Sequence, residues 1–268
     1  MVLYHSAPDY SLKSKFNNFN QHKSQLTDPS VPKRVPLKTS NVFTSNLRIF
    51  YQNIRGLQNK IDELLLSWDT NSPHIICFSE HHLHKDQIQH LFINEYKLVA
   101  SYCRSSHKHG GVWIFIQESL SCSTIDLRDF CQECIIEACA LKLDYNSINL
   151  CVLLIYRSPP GDFTQFLHTF GNILNHVYIN YTNIIICGDF NVNYLETKKK
   201  KLQLDSLLAS YNLFSTVYFP TRIMNHSSTA IDNIFLNNIT TDFSIQSRPM
   251  AFLTMILYYL CLITYDYI

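Results

Sequence analysis

Six polar residues stand at the ends of short apolar runs, and their types suit one kind of chemistry. Asn53 ends Leu47–Asn53, Glu80 follows His74–Ser79, and Tyr156 ends Ile148–Tyr156. Asp189 and Asn191 follow Asn183–Gly188, and Asp232 lies at the start of Ile231–Leu236. Sheet proteins place sites at strand ends, where loops are held by a rigid scaffold. Metal-assisted phosphodiester hydrolysis fits these residue types. A carboxylate such as Glu80 suits Mg²⁺, which keeps most of its waters and takes one or two protein carboxylates. The ion would neutralise the phosphate and its leaving oxygen, and a second carboxylate would orient or deprotonate the attacking water. A lone Asp or Glu at a strand end is more often a cap or turn residue. It is the set of residues and their order that point to this chemistry.

The elements that must position these residues follow from periodicity. Leu47–Asn53, His74–Ser79, Val112–Ile116, Asn183–Gly188 and Ile231–Leu236 read as strands. Ile135–Leu143 and Ile148–Tyr156 flank Asp144-Tyr-Asn-Ser147 as a hairpin. Leu57, Ile61, Leu64, Leu65 and Trp68 share one helical face. Phe163, Phe166, Leu167, Phe170, Ile173, Leu174 and Val177 share another, with Asp162 as its N-cap. Leu204, Leu207, Leu208 and Tyr211 suggest a shorter helix. Strands alternate with helices around a central hairpin, which argues an α/β layered sandwich with mixed sheets. One domain is expected over residues 46–250, after a loose polar leader at 1–45 and before an apolar tail at 251–268.

Composition limits the alternatives. The chain has 268 residues, 46% hydrophobic and 16% charged, which excludes a mostly disordered chain and a coiled coil. The net charge is +1, so any nucleic-acid contact must come from a local patch. Lys198–Lys201 reads as a solvated loop, with phosphate contact as its functional alternative. Nine cysteines, several inside apolar runs, read as buried reduced thiols in a nuclear or cytoplasmic protein. Cys131-Gln-Glu-Cys134 lacks the second ligand pair that a structural zinc site needs. The N-terminus carries no apolar stretch of the signal-peptide kind, so a secreted protein is not expected. The uncharged stretch from Met250 to Thr264 falls short of the about 20 apolar residues of a spanning helix, so membrane association is not expected.

Read as blocks, the motifs resemble a known superfamily. They are Gln52-Asn53-Ile-Arg-Gly56-Leu57 with Lys60-Ile61-Asp62-Glu63-Leu64, Ile76-Cys-Phe-Ser-Glu80-His81, Gly110-Gly111-Val112, Ile155-Tyr156-Arg157-Ser158-Pro159-Pro160, Gly188-Asp189-Phe190-Asn191 and Ile231-Asp232-Asn233-Ile234-Phe235. Together they resemble the endonuclease/exonuclease/phosphatase (DNase I-like) superfamily. The endonuclease domains of non-LTR, LINE-type retrotransposons are the nearest likeness. The resemblance spans about residues 46–236. It implies a four-layer α/β sandwich of two packed mixed sheets flanked by helices. It also implies a Mg²⁺-dependent (or Mn²⁺-dependent) endonuclease that nicks duplex DNA to prime reverse transcription. Asn53 and Glu80 would sit at the metal, and Tyr156 would contact the scissile phosphate. Asp189 would handle the water or the leaving group, and Asn191 would orient it. Asp232 would hold a general-base histidine, while Thr221 and Arg222 would touch the DNA backbone. Another phosphoesterase of the superfamily, or a catalytically dead relic, is the alternative.

One family element is missing. The superfamily closes its site with Ser-Asp-His on the final strand, and no such triplet occurs here. Leu253-Thr-Met-Ile256 is compatible with the codons CTG ACC ATG AT. With a preceding T and a shifted frame, that DNA reads TCT GAC CAT GAT, or Ser-Asp-His-Asp. The expectation is a frameshift near codon 252, with the tail out of frame and the activity impaired. Of the remaining histidines, His81, His82 and His84 are expected in a solvated loop, and His226 is a weak substitute base.

Overall fold

Period-two alternation explains why this chain builds two sheets packed face to face. Successive strand side chains point to opposite faces. In β2 (Thr44–Asn53), Leu47, Ile49 and Tyr51 enter one buried cluster while Phe50 enters another. β3 (Ile75–Ser79) divides the same way, with Ile75 and Cys77 inward and Ile76 and Phe78 outward. The computed structural model describes residues 12–14, 44–57, 60–61, 64–65, 68, 72–88, 90–107, 109–146, 148–224, 227–237, 242–249 and 256–265.

The first sheet joins β1 (Leu12–Ser14), β2, β3, β4 (Tyr96–Tyr102), β5 (Val112–Gln117), β14 (Asp242–Pro249) and β15 (Ile256–Tyr265) in the order β1-β14-β15-β2-β3-β5-β4. The second joins β6 (Cys122–Ile125), β7 (Ile136–Tyr145), β8 (Ile148–Arg157), β9 (Asn183–Asp189), β10 (Leu213–Ser215) and β13 (Asp232–Asn237) in the order β10-β13-β9-β8-β7-β6. Each is mixed: β2 runs parallel to β3 and β8 parallel to β9, among antiparallel neighbours. Their facing stripes form the central core, with Ile49, Cys77 and Ile114 against Leu141, Val152, Ile185 and Ile234.

Helical segments cover the outer faces and complete four layers. α1 (Lys85–Ile88) is a single short turn beyond β3. α2 (Phe163–Tyr178) begins at Asp162, whose carboxylate accepts the Gln165 N–H at 2.7 Å as an N-cap. It presses Phe166, Phe170, Ile173 and Val177 against Leu153, Ile184 and Ile186. α3 (Lys199–Ala209) adds Leu204 and Leu208 to the same layer. Across the molecule, Leu57, Leu64 and Trp68 pack on Phe50, Phe78 and Trp113. The amphipathic segment expected there shows a helical Leu64 N–H to Lys60 C=O bond of 3.1 Å. Its residues 62, 63, 66 and 67 lie outside the described residues. Cys77, Cys139, Cys151 and Cys187 are buried free thiols on the strands.

Both ends of the chain differ from the expectation of a leader and a separate tail. Leu12–Ser14 pairs with β14, and Ile256–Tyr265 lies antiparallel between β14 and β2. Leu260 is fully buried opposite Ile49. The physical reason is composition: Ile256 to Tyr265 is rich in β-branched and aromatic residues, which suit a strand. Among the described residues, no helix is long and apolar enough to cross a membrane.

A chain ended after residue 252 should lose β15 and uncover β2. Soluble yield and circular dichroism of that truncation should show an aggregated or unfolded product. A folded truncation would contradict the placement of β15.

Candidate active site

The inner stripes of four strands turn polar at one end of the sandwich. Leu47, Ile49 and Tyr51 lead to Asn53; Leu150, Val152 and Leu154 lead to Tyr156. Ile185 and Cys187 lead to Asp189, and Leu236 and Ile234 lead back to Asp232. Register aligns these termini: Asn53 pairs with Ser79, Tyr156 with Asp189, and Asp189 with Asp232. Parity therefore aims all four side chains into the same seam between the sheets.

Asn53 is the link. Its amide donates to Glu80 Oε1 at 2.9 Å and to Asp189 Oδ2 at 2.8 Å. Glu80 follows β3 with a left-handed φ of 54°, which turns its side chain back over the seam. The Tyr156 hydroxyl is near enough to help lower the Glu80 pKa, and His82 Nε2 lies 3.4 Å from Glu80 Oε2. Asn191, also left-handed with φ 49°, donates its backbone N–H to Asp189 Oδ1 at 2.9 Å. Its side-chain amide donates to the Arg157 carbonyl at 2.7 Å. The buried Arg157 guanidinium in turn donates to the carbonyls of Phe190, Ser158, Gly161 and Asn191, which fixes the loop after β9. Gly188 is required by close packing, because a Cβ there would lie 2.0 Å from the Ile155 carbonyl oxygen.

Burial and like charge dominate the electrostatics. Burial, then Asp232 and Glu80, push Asp189 well above the usual carboxylate range. Burial also raises Asp232, to about 6, against the opposing pull of hydroxyls from Thr221 and Tyr51. Burial pushes Glu80 up, but hydrogen bonds from His82, Asn53 and Tyr156 outweigh it and hold Glu80 below its ordinary value. Burial and the carboxylates of Glu80 and Asp189 raise Tyr156, so the phenol keeps its proton.

The donor set fits a hard divalent cation. Carboxylate and amide oxygens are the ligands Mg²⁺ prefers. Glu80, Asp189 and Asp232 bring three carboxyl groups together, and among the described residues only His82 is in ion-pair contact with any of the three. No three His, Cys, Asp or Glu side chains among the described residues converge as a dedicated metal cage. Mg²⁺ does not need one, since water fills most of its positions.

Three expectations meet a different geometry. Thr221, expected on the DNA backbone, is buried, and its hydroxyl donates to Asp232 Oδ2 at 2.8 Å. Its place just before the small hairpin of β11 (Arg222–Met224) and β12 (Ser227–Thr229) turns it inward. Arg222 opens β11 and is half-buried, beside exposed Ile223 and Met224. His81 is not solvated: it is buried and stacks on Trp113 with centroids 4.1 Å apart, and burial lowers its pKa to about 3. His82 faces Glu80, His84 is exposed, and His226 lies outside the described residues, as do residues 251–255. Lys198 and Lys201 are paired within the chain, with Glu196 and Asp205.

The structure also adds residues that were not expected at the site. Tyr51 donates to Asp232 Oδ1 at 2.9 Å. Glu137, on β7 opposite Tyr156, is paired with Arg104 and accepts the Gly111 N–H at 2.5 Å. The Arg104 guanidinium lies 5.9 Å from the Tyr156 ring centre. Both Tyr51 and Glu137 continue inner stripes, so parity alone was the signal that marked them.

Two mixed sheets whose inner stripes end in this polar set define a sandwich of the DNase I-like type. The sequence model of the Endonuclease/Exonuclease/phosphatase family matches residues 50–250, and the chain belongs to that family. No curated protein sequence matches the chain. Among solved structures, the endonuclease domain of TRAS1, a telomere-specific non-LTR retrotransposon, is similar with a TM-score of 0.62 at 12% identity, covering 80% of this chain and 97% of that one. The catalytic domain of Xenopus laevis APE2 gives 0.59 at 16% identity over 81% and 92%. The 3′ phosphatase NExo from Neisseria, bound to a product DNA hairpin, gives 0.58 at 12% identity over 82% and 100%. At these identities the likeness is one of fold.

The raised Asp232 has a consequence for stability. An acid whose folded pKa exceeds its unfolded value stabilises the fold below the unfolded pKa and loses that stabilisation as pH rises through the folded one. Asp232→Asn should therefore be more stable than the parent at pH 7 by about 2–3 kcal/mol at most, with the gap closing between about pH 6 and pH 4. Urea unfolding in EDTA across that range checks it. A gap that does not change with pH would contradict the assignment.

Proposed function

We propose that this chain is the Mg²⁺-dependent endonuclease domain of a non-LTR retrotransposon, acting on duplex DNA to leave a nick that primes reverse transcription. The observation that carries it is the convergence of Asn53, Glu80, Tyr156, Asp189 and Asp232 at one end of the sheet seam. Glu80 and the Asn53 carbonyl oxygen would hold Mg²⁺ (or Mn²⁺). Bound there, the ion supplies charge neutralisation at the scissile phosphate and its leaving oxygen.

The chain's own residues divide the remaining work. Tyr156, which keeps its proton, donates to a phosphate oxygen. Asn191 orients the phosphate from the loop that Arg157 holds. Burial and the neighbouring carboxylates favour a proton on Asp189, which would pass it to the 3′ oxygen as the P–O bond breaks. The attacking water would pass its proton to solvent, because the sequence lacks the Ser-Asp-His triplet that carries the superfamily's base. That loss fits the frameshift reading of residues 253–256, and general acid–base catalysis is worth about 10²–10⁴-fold. The expected activity of this copy is accordingly slow.

A DNA substrate is supported by the likeness to the TRAS1 endonuclease domain and to NExo, a 3′ phosphatase bound to a product DNA hairpin. A nuclear or cytoplasmic location follows from a DNA substrate and from buried free thiols such as Cys77 and Cys187.

The test is supercoiled plasmid nicking by the full chain in Mg²⁺. The natural chain should nick slowly, and Glu80→Gln should abolish nicking. Leu253→Ser, Thr254→Asp, Met255→His and Ile256→Asp together should accelerate nicking about 10²–10⁴-fold. Phosphate release from a monoester without nicking would favour a phosphatase. Salt-dependent DNA binding without cleavage, by both chains, would favour a relic.

A further inference from the structure

Tyr51 is a buried titratable group at the seam that the proposed reaction does not use. It lies two residues before Asn53 on the same strand face and is wholly buried. Its hydroxyl oxygen lies 3.0 Å from Ser79 Oγ and 2.9 Å from Asp232 Oδ1. A phenol has one proton to donate. Asp232, when ionised, only accepts, so the Tyr51 proton goes to Asp232 and the Ser79 hydroxyl donates to Tyr51.

The other oxygen of Asp232 is held in the same manner. Thr221 Oγ1 accepts the N–H groups of Ile231 at 3.0 Å and Asp232 at 3.3 Å, and donates to Asp232 Oδ2 at 2.8 Å. Both oxygens of one carboxylate are thus gripped, one from the first sheet and one from the loop before β11. Tyr51 and Ser79 belong to the first sheet, and Asp232 and Thr221 to the second sheet and its connecting loop. Asp232 stands directly across from Asp189 in the β9–β13 ladder. A hydroxyl that reaches over the seam therefore sets where the second carboxylate sits relative to the first.

We propose that Tyr51 is a positioning residue of the hydrolytic centre: its hydroxyl, crossing from one sheet to the other, fixes the Asp232 carboxylate beside Asp189. The inference rests on the hydrolytic reading of the site. It concerns geometry at the seam, so it adds no step to the reaction.

Single-turnover nicking by the full chain tests it, in the natural form and with Leu253→Ser, Thr254→Asp, Met255→His and Ile256→Asp. Tyr51→Phe should lower the rate at saturating DNA about 10- to 100-fold, the scale of one hydrogen bond to a charged group. The half-saturating DNA concentration should stay within about twofold. Adding Tyr51→Phe to Asp232→Asn should change the rate by less than about twofold, because the two act as one unit. A rate within about threefold of the parent, or losses that multiply, would overturn the proposal. NMR of tyrosine hydroxyl protons is the second measurement. A slowly exchanging proton should vanish in Tyr51→Phe and shift in Asp232→Asn, and a proton indifferent to Asp232→Asn would also overturn it. If neither chain nicks DNA, the hydrolytic reading fails, and the hydroxyl proton alone decides whether Tyr51 holds Asp232.

Discussion

Three carboxylates packed into one seam are the constraint on which this structure turns. Burying a charge costs several kcal/mol unless donors compensate it. The chain places a donor on nearly every oxygen: Asn53 bridges Glu80 and Asp189, the Asn191 N–H reaches Asp189, and Tyr51 and Thr221 hold Asp232. The left-handed backbone at Glu80 and Asn191 serves the same end, since each bends the chain so that a polar group faces the seam. Residual strain appears as raised proton affinity at Asp189 and Asp232. A divalent cation would relieve that repulsion, as would a proton shared with a leaving group.

Much of this was legible in the sequence because the site is made by period-two strands. Once Leu47–Asn53, Ile148–Tyr156 and Asn183–Gly188 are read as strands, the parity of Asn53, Tyr156 and Asp189 follows from counting. What escaped was tertiary. Tyr51 reads as one more core aromatic until Asp232 is brought opposite it, 181 residues later. Glu137 shares the inward parity of Cys139 and Leu141, but its partners Arg104 and Gly111 appear only in the fold. Thr221 lies between Pro220 and Arg222, outside any strand period that would assign it a face, and only the fold turns it inward. Short edge strands such as Tyr96–Tyr102 and Cys122–Ile125 carry too weak a pattern to separate from loop.

The tail separates strand formation from catalysis. Ile256–Tyr265 occupies a ladder between β14 and β2 because apolar, β-branched sequence suits that slot whatever its origin. Strand pairing asks for hydrophobicity and length; catalysis asks for a particular imidazole. The first demand is met by the residues present, and the second is not met at 253–256. On the proposed reading, such a chain would keep its fold while its chemistry is weakened at a single corner.

The central claim is that the seam is a phosphodiesterase centre that transfers a proton to a 3′ oxygen. Its most direct test is the chemistry of the ends. Plasmid cut by the full chain, with residues 253–256 restored and Mg²⁺ present, is offered untreated to a DNA polymerase. The account predicts extension from the nick, since hydrolysis leaves a 3′ hydroxyl. Ends that must first be dephosphorylated, or an intact plasmid from a folded chain, would contradict it.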